Sequence, residues 1–278
     1  MSIVYKYCNA HGIDILRNLH LKVTPPNQFN DPFEFTPRMT SSDPRGFAKR
    51  ILKNKDNLRT IYRHFSQAGH FTGNFREFRR QSVRDRDKMI KGLETCVPAA
   101  VESVQKSHLD RISQTYGVLC LSKRPDSILM WGHYCEKQEG IVIGFDSTSP
   151  IFDKEKGLRE VQYVKERVFF DANWKPASVE LSRYEDQIIF SKNKDWAYEE
   201  ELRQFFILSQ MDKKPLRYGS SGYFLSFPPE ALVRVILGTR CSMQLASEIS
   251  SILKNGPLSH ARIGRAVLHE TDFALRIE

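Results

Sequence analysis

The sequence predicts an α+β fold, and three observations carry that expectation. Short apolar strand patterns and helical patterns are interspersed, with no regular strand-helix-strand spacing, which argues against a doubly wound sheet. Leu19 to Thr24 alternates apolar and polar residues, as half-buried strands do. Residues 44–113 read as consecutive amphipathic helices. A chain of 278 residues is one large domain, or one domain with a sizeable insertion, and is long enough to bury a real core. The expected organisation is a single domain over 1–278 with a helical insertion at 44–113.

The elements follow in order. Ile3 to Tyr7 is a short strand, Ile13 to Asn18 a short helix or turn, and Leu19 to Thr24 an alternating strand. Pro25 to Phe33 is a loop, because two prolines and Asn30-Asp31-Pro32 forbid regular structure. The helical block is broken near Gly69 to Asn74 and at Pro98. Tyr116 to Ser122 is a buried strand, and Asp126 to Glu136 a helix capped by Asp126 or Ser127. Ile141 to Phe145 and Leu158 to Tyr163 are strands, Ala177 to Ser191 is helical, and Glu201 to Leu208 is a strand. Ala231 to Leu237 is a strand, Met243 to Lys254 a helix, and Ala261 to Ala274 holds one or two strands.

Composition narrows the class. With 40% hydrophobic and 27% charged residues the chain is ordinary for a globular protein. No apolar run approaches the ~20 residues of a membrane helix, and the N-terminus lacks a signal-peptide shape, so a cytoplasmic protein with no membrane partner is expected. Five scattered cysteines (Cys8, Cys96, Cys120, Cys135, Cys241) contain no CxxC pair and suit free, mostly buried thiols. Cys8-x-x-His11 and His133-Tyr134-Cys135 are too sparse for zinc, so no metal is expected.

Charge is concentrated. Residues 45–91 hold 14 Lys or Arg against four Asp or Glu, so this segment carries the excess of a chain whose net charge is +9. Phe47, Tyr62, Phe65, Phe71, Phe75 and Phe78 interleave with it. Basic charge with rings suits phosphate contact and base stacking, with Arg76, Arg79, Arg80 and Arg84 as candidate nucleic-acid contacts. The plainer alternative is a helical core with a solvated basic face.

One motif puts acids on an otherwise buried strand: Trp196-Ala-Tyr198-Glu199-Glu200-Glu201-Leu202-Arg203, running into the apolar stretch Gln204 to Leu208. Strand alternation expects Glu199, Glu201 and Arg203 on one face. Paired carboxylates facing a cleft raise each other's proton affinity and suit acid–base work. The plainer alternative is a solvated edge with a Glu-Arg pair.

The spaced motifs together resemble a bacterial family known only as a domain of unknown function, found in anti-phage and toxin-like loci. They are Tyr5-Lys6-Tyr7, Phe29-Asn30-Asp31-Pro32-Phe33, Leu119 to Ser122, Met130-Trp131-Gly-His133-Tyr134, Gly140 to Asp146, and Trp196 to Arg203. That pattern is similar in turn to the ADP-ribosyltransferases. The resemblance, which leaves the basic insertion at 44–113 outside it, implies a split mixed sheet, NAD as substrate, and Glu201 and Glu199 as the catalytic carboxylates. It implies that Lys6 or Tyr7 fills the first-strand position, where the family has His or Arg. It places Ser122 on the second strand and Tyr134 as the ring stacked on nicotinamide. Asn30, Trp131, His133 and Arg203 complete the implied NAD-binding set. The implied activity is a toxin-like transfer of ADP-ribose, with an antitoxin protein as a further partner; the local basic charge together with the family's setting makes RNA or DNA the expected acceptor. Read from the residues alone, Trp131 and Tyr134 lie three apart on one helical face, where core packing is the default. Asn30-Asp31-Pro32 is by default a plain turn. The alternatives are a protein-directed transferase, a non-catalytic nucleic-acid or partner-binding module, and a nuclease using Glu199, Glu201 and His133.

Overall fold

In a computed structural model the chain runs β1 (Ile3–Cys8), α1 (Ile13–Asn18), β2 (His20–Val23), β3 (Arg38–Thr40), α2 (Pro44–Lys53), α3 (Lys55–Gln67), α4 (Phe75–Arg84) and α5 (Arg86–Thr115). There follow β4 (Tyr116–Ser122), α6 (Ile128–Tyr134), β5 (Ile141–Asp146), β6 (Arg159–Glu160), β7 (Gln162–Val164), β8 (Phe169–Asp171), α7 (Ser178–Phe190), β9 (Ser191–Asn193) and β10 (Glu201–Ile207). The chain ends with β11 (Asp212–Pro215), β12 (Ser221–Ser226), β13 (Leu232–Leu237), α8 (Met243–Asn255), β14 (Arg262–Leu268) and β15 (Leu275–Ile277). The structure describes residues 2–152, 157–171, 178–215 and 221–278, without the side chains of 96–101, 103, 104 and 178–182. It divides into two compact units: Met1–Phe35, Arg111–Glu166 and Ile189–Glu278 form one, Thr36–Asp110 and Arg167–Ile188 the other.

The first unit is α+β, built on a mixed sheet of order β15-β14-β13-β5-β1-β4-β10-β6. Only β13 and β14 run parallel within it. Its strands alternate as their sequences require. Val4, Leu119, Leu121, Ile143, Phe145 and Leu202 bury one face, together with Ile13 and Leu16 of α1 and Ile249 and Leu253 of α8. Tyr5, Tyr7, Val142 and Ile236 bury the other face with Met130 and Trp131 of α6. The sheet is nearly split in the middle. β1 pairs with β5 from Ile3↔Asp146 to Cys8↔Ile141, and β4 with β10 from Ser122↔Glu201 to Tyr116↔Ile207. Between β1 and β4 the register holds only Tyr5↔Ser122. Freed backbone groups at such a gap need other partners; Lys6 Nζ supplies one by donating to the Cys120 carbonyl at 3.0 Å.

The second unit is mainly helical. Asp43, Asn54 and Asn74 cap α2, α3 and α4 with their side chains, and Asn74 with Glu77 forms a capping box. Tyr62 meets Phe71, Phe75 and Phe78 with centroids 5.6 to 6.2 Å apart. The rings are thus first of all the core of the helical unit. Arg76, Arg79, Arg80 and Arg84 on α4 are exposed.

Most elements fall where the sequence puts them, and the differences have local causes. The helical block breaks near Gly69, but α5 continues through Pro98. A proline removes a single ladder bond, and the long flanks of this helix carry it past. The strand expected over 158–163 is two short strands. Val161 between them is buried and donates to the Glu201 carbonyl, while β6 pairs with β10 and β7 with β9. β3, β8, β9, β11 and β12 were not legible: Ser191-Lys192-Asn193 and Asp212-Lys-Lys-Pro215 have no apolar alternation, and a neighbouring strand's hydrogen bonds define them. Ala177, the expected start of the helix over 177–191, lies outside the described residues, as does the side chain of Cys96. The other four cysteines are free thiols. No helix among the described residues is long and apolar enough to cross a membrane.

Candidate functional site

At the split between β1 and β4 lies a cleft of about 260 Å³, lined among others by Tyr5, Lys6, Tyr7, Asn30, Ser122, Tyr134, Glu199 and Glu201. Sheet register places three of these in one row: Tyr5 on β1 opposes Ser122 on β4, which opposes Glu201 on β10. Directly paired strand residues share a face, so the row presents all three to the α6 side of the sheet. Tyr134, the last residue of α6, closes on the row from above, its hydroxyl donating to Glu199 Oε1 at 2.7 Å.

Below the cleft sits a buried charge cluster. Lys192 on β9 donates to Glu199 Oε2 at 2.6 Å and Glu201 Oε2 at 3.0 Å, and lies 3.3 Å from Glu34. Arg203 is fully buried; its Nε donates to Glu201 Oε1 at 2.7 Å, one Nη to the Ile189 carbonyl and the other to Glu34. Phe29 and Phe35 flank the Arg203 guanidinium, at 5.7 and 5.1 Å. Within this cluster three carboxylates stand against two cations, and Lys6, Lys22 and Asp31 also line the cleft.

Two left-handed residues aim these acids. Glu201 and Arg203 share a strand face as expected, but Glu199 does not sit on the strand. It ends a 3-10 turn over Lys194–Glu199, and Glu200, at φ 43°, reverses the chain so that Glu199 and Glu201 both reach Lys192. Phe35, at φ 59°, directly follows Glu34 and is 1% exposed. A left-handed residue other than glycine costs roughly 1–2 kcal/mol, and it persists where surrounding packing over-determines it. Phe29, T-shaped on Phe35 at 5.0 Å, supplies part of that packing.

The environments push the two motif acids apart. Burial would raise the Glu201 carboxyl, but Arg203 and Lys192 outweigh it and hold it well below the ordinary glutamate range. Burial raises Glu199, and Lys192 does not fully offset it. Burial likewise raises Glu34 against Arg203 and Lys192. For Lys192, burial is outweighed by Glu201, Glu34 and Glu199, so the ammonium stays charged. Tyr163, whose hydroxyl accepts the Glu201 N–H at 2.7 Å, is pushed up to about 12, mainly by burial.

Several sequence-derived sites take other roles. Trp131 is fully buried, stands edge-on to Tyr7 at 5.7 Å and donates to the Pro125 carbonyl at 2.8 Å; it packs in the core on the sheet and does not line the cleft. Arg203 does not line the cleft; it is a positioning residue for Glu201 and Glu34. His133 is exposed and stacks at 6.2 Å on Tyr198, since its helical position turns it away from the sheet, so it does not join Glu199 and Glu201. The hydroxyl of Tyr7 donates to the Arg124 carbonyl, and that of Ser122 to the Glu199 carbonyl at 2.7 Å, so both are structural ties at the cleft floor. Asn30 is exposed at the cleft, and Asp31 makes an Asx turn through the Phe33 N–H at 2.9 Å. Among the described residues no group of three or more His, Cys, Asp or Glu is arranged to hold a metal ion. Glu34 and Lys192 were missed. Glu34 had a weak signal, its place directly after the Phe29–Phe33 motif; Lys192, in a polar tripeptide, had none.

Residues 130–204 match the family described as "Protein of unknown function (DUF2971)". This segment contains Tyr134, Lys192, Glu199, Glu201 and Arg203, most of the charge cluster. Neither the curated proteins nor the solved structures hold a significant match. Over 130–204, then, the chain is similar to this family, and the segment of likeness begins within α6 and ends one residue past the buried Arg203.

Proposed function

We propose that this cleft is the NAD site of a toxin-type ADP-ribosyltransferase, with a nucleic acid as acceptor. The observation that carries the reading is the row Tyr5–Ser122–Glu201 at the sheet split, with Tyr134 and Glu199 closing on it. The cavity of about 260 Å³ is near the lower end of ligand pockets, roughly 300–1,000 Å³, and suits a nucleoside-sized end of the substrate. The carboxylates of Glu199 and Glu201 at its wall suit the cationic nicotinamide ribose. When the bond from ribose C1′ to the nicotinamide nitrogen breaks, the electron pair leaves with nicotinamide and positive charge grows on the ribose. Glu201, held ionised and rigid by Arg203 and Lys192, stabilises that charge without reorganising. Glu199, with its raised proton affinity, takes the proton as the acceptor attacks C1′. Two carboxylates driven apart by their surroundings are the pattern of divided acid–base roles.

Incubating the protein with NAD labelled in its adenylate half, against separate pools of RNA, DNA and protein, tests the reading. Nicotinamide release with label retained on nucleic acid is expected. Label on protein would move the acceptor; metal-dependent strand cleavage without nicotinamide release would favour a nuclease. Transfer rate should also depend on pH. Glu199 must be ionised to accept a proton, and its affinity is raised, so the rate should climb with pH through a midpoint above the ordinary glutamate value of about 4.3. A pH–rate profile in which Glu199→Gln retains this acid limb would assign the limb elsewhere.

A further inference from the structure

We propose that the helical unit carries a pocket for a single unpaired nucleobase, with its phosphates held on α4. The inference rests on the reading of a nucleic-acid acceptor and deepens it. A second cavity, of about 330 Å³, opens between α3, α4 and α5. Its floor is Phe78, 4% exposed, and its walls include Phe65 and Phe71, 5.9 and 5.2 Å from Phe78. Phe65 is 40% exposed, an aromatic face left to solvent beside an apolar cavity. The rim is polar: His70, Gln81, Asp85 and Lys88. An apolar slot with donors and acceptors at its edge matches a heterocycle, which offers a stacking face and a hydrogen-bonding edge. A purely apolar ligand would leave those rim groups without a use.

The neighbouring groove names the rest of the ligand. Phe71 and Gln81 also line a shallow cavity whose other walls include Arg80 and Arg84. Base slot and basic groove therefore share a wall, the arrangement a nucleotide needs. Arg76 and Arg79 extend the positive face along α4, and the 45–91 segment supplies the strong positive excess that a polyanion requires. Paired bases cannot enter such a slot, so the occupant is a single strand or an extruded base.

Gly92 allows a test that spares the core. It lines the slot, is exposed on α5, and a Cβ there would meet nothing within 4 Å. Gly92→Phe fills the slot without removing a packed ring, and phenylalanine is a better helix former than glycine. The probes are single-stranded RNA and DNA oligonucleotides of about 12 residues, each carrying one 2-aminopurine, titrated without NAD. For the wild type, binding with quenched 2-aminopurine fluorescence is expected in at least one arm, and the arm that binds identifies the sugar. Gly92→Phe should weaken binding about tenfold or more and abolish the quenching, while the slope of affinity against salt stays the same. Arg80→Glu with Arg84→Glu should flatten that slope. Gly92→Ala, folded by circular dichroism, should bind as wild type. Wild-type affinity with full quenching in Gly92→Phe overturns the slot, as does tighter wild-type binding to an apolar peptide than to either oligonucleotide. Because NAD is absent, these outcomes are separate from the transferase reading, which nicotinamide release decides.

Discussion

Arg203→Met should destabilise the first unit by about 3–5 kcal/mol, the usual consequence of removing one partner from a buried ion pair. Arg203 is 0% exposed, and the substitution leaves Glu34 and Glu201 buried with Lys192 as their remaining cation. Methionine fills much of the same volume, so the loss comes from charge rather than from a cavity. Urea denaturation near neutral pH measures it. The sign with pH follows from Glu201. Its carboxyl is held below the ordinary value, so its pairing is fully stabilising above about pH 4.3 and is lost as pH falls through the folded pKa. The gap between wild type and variant should therefore narrow in acid. A loss under ~1 kcal/mol at neutral pH would instead be the behaviour of a solvent-exposed pair.

On the proposed transferase reading, Glu199→Gln should reduce ADP-ribose transfer by about a hundredfold or more, the scale of losing one electrostatic or proton-transferring group, and should lower NAD hydrolysis less. The amide fits here: its oxygen can accept from Lys192, and its NH2 can donate to the Tyr134 hydroxyl. Glu201→Gln has no such solution. Both Glu201 oxygens receive donors, from Arg203 Nε, Arg203 Nη2 and Lys192 Nζ, so an NH2 at either position opposes an N–H. That variant should lose stability along with activity. Rates of nicotinamide release and of label transfer, measured on protein checked for a wild-type urea midpoint, separate the two effects. A folded Glu199→Gln protein with full transfer would remove Glu199 from the mechanism.

The sequence made the first unit's strands legible because each buries one face, and alternation is a local signal. It made the Trp196–Arg203 motif legible for the same reason: acids on a stretch that reads as a buried strand conflict with burial. The conflict marked the site but did not reveal its resolution. Lys192 comes from a polar tripeptide whose strand character exists only through its pairing with β7, and Glu34 is 169 positions from the Arg203 it meets. Contacts of that separation leave no local periodicity. Trp131 shows the opposite limit: a ring on a helical face reads the same whether it lines a cleft or packs on a sheet.

By itself the sequence determined the α+β class, the helical basic segment, and the acids and rings from which the candidate site is drawn. Composition, periodicity and turn chemistry are properties of neighbouring residues, and these suffice for elements. Only the tertiary structure decided which atoms meet. The single Tyr5↔Ser122 pairing opens the sheet, and the left-handed Glu200 and Phe35 aim Glu199 and Glu34. Lys192 and Arg203 then hold Glu201 as a charge, while burial raises the proton affinity of Glu199. Register, handedness and burial of charge depend on residues far apart in the chain, and it is these that turn a run of glutamates into a cleft with two different carboxylates.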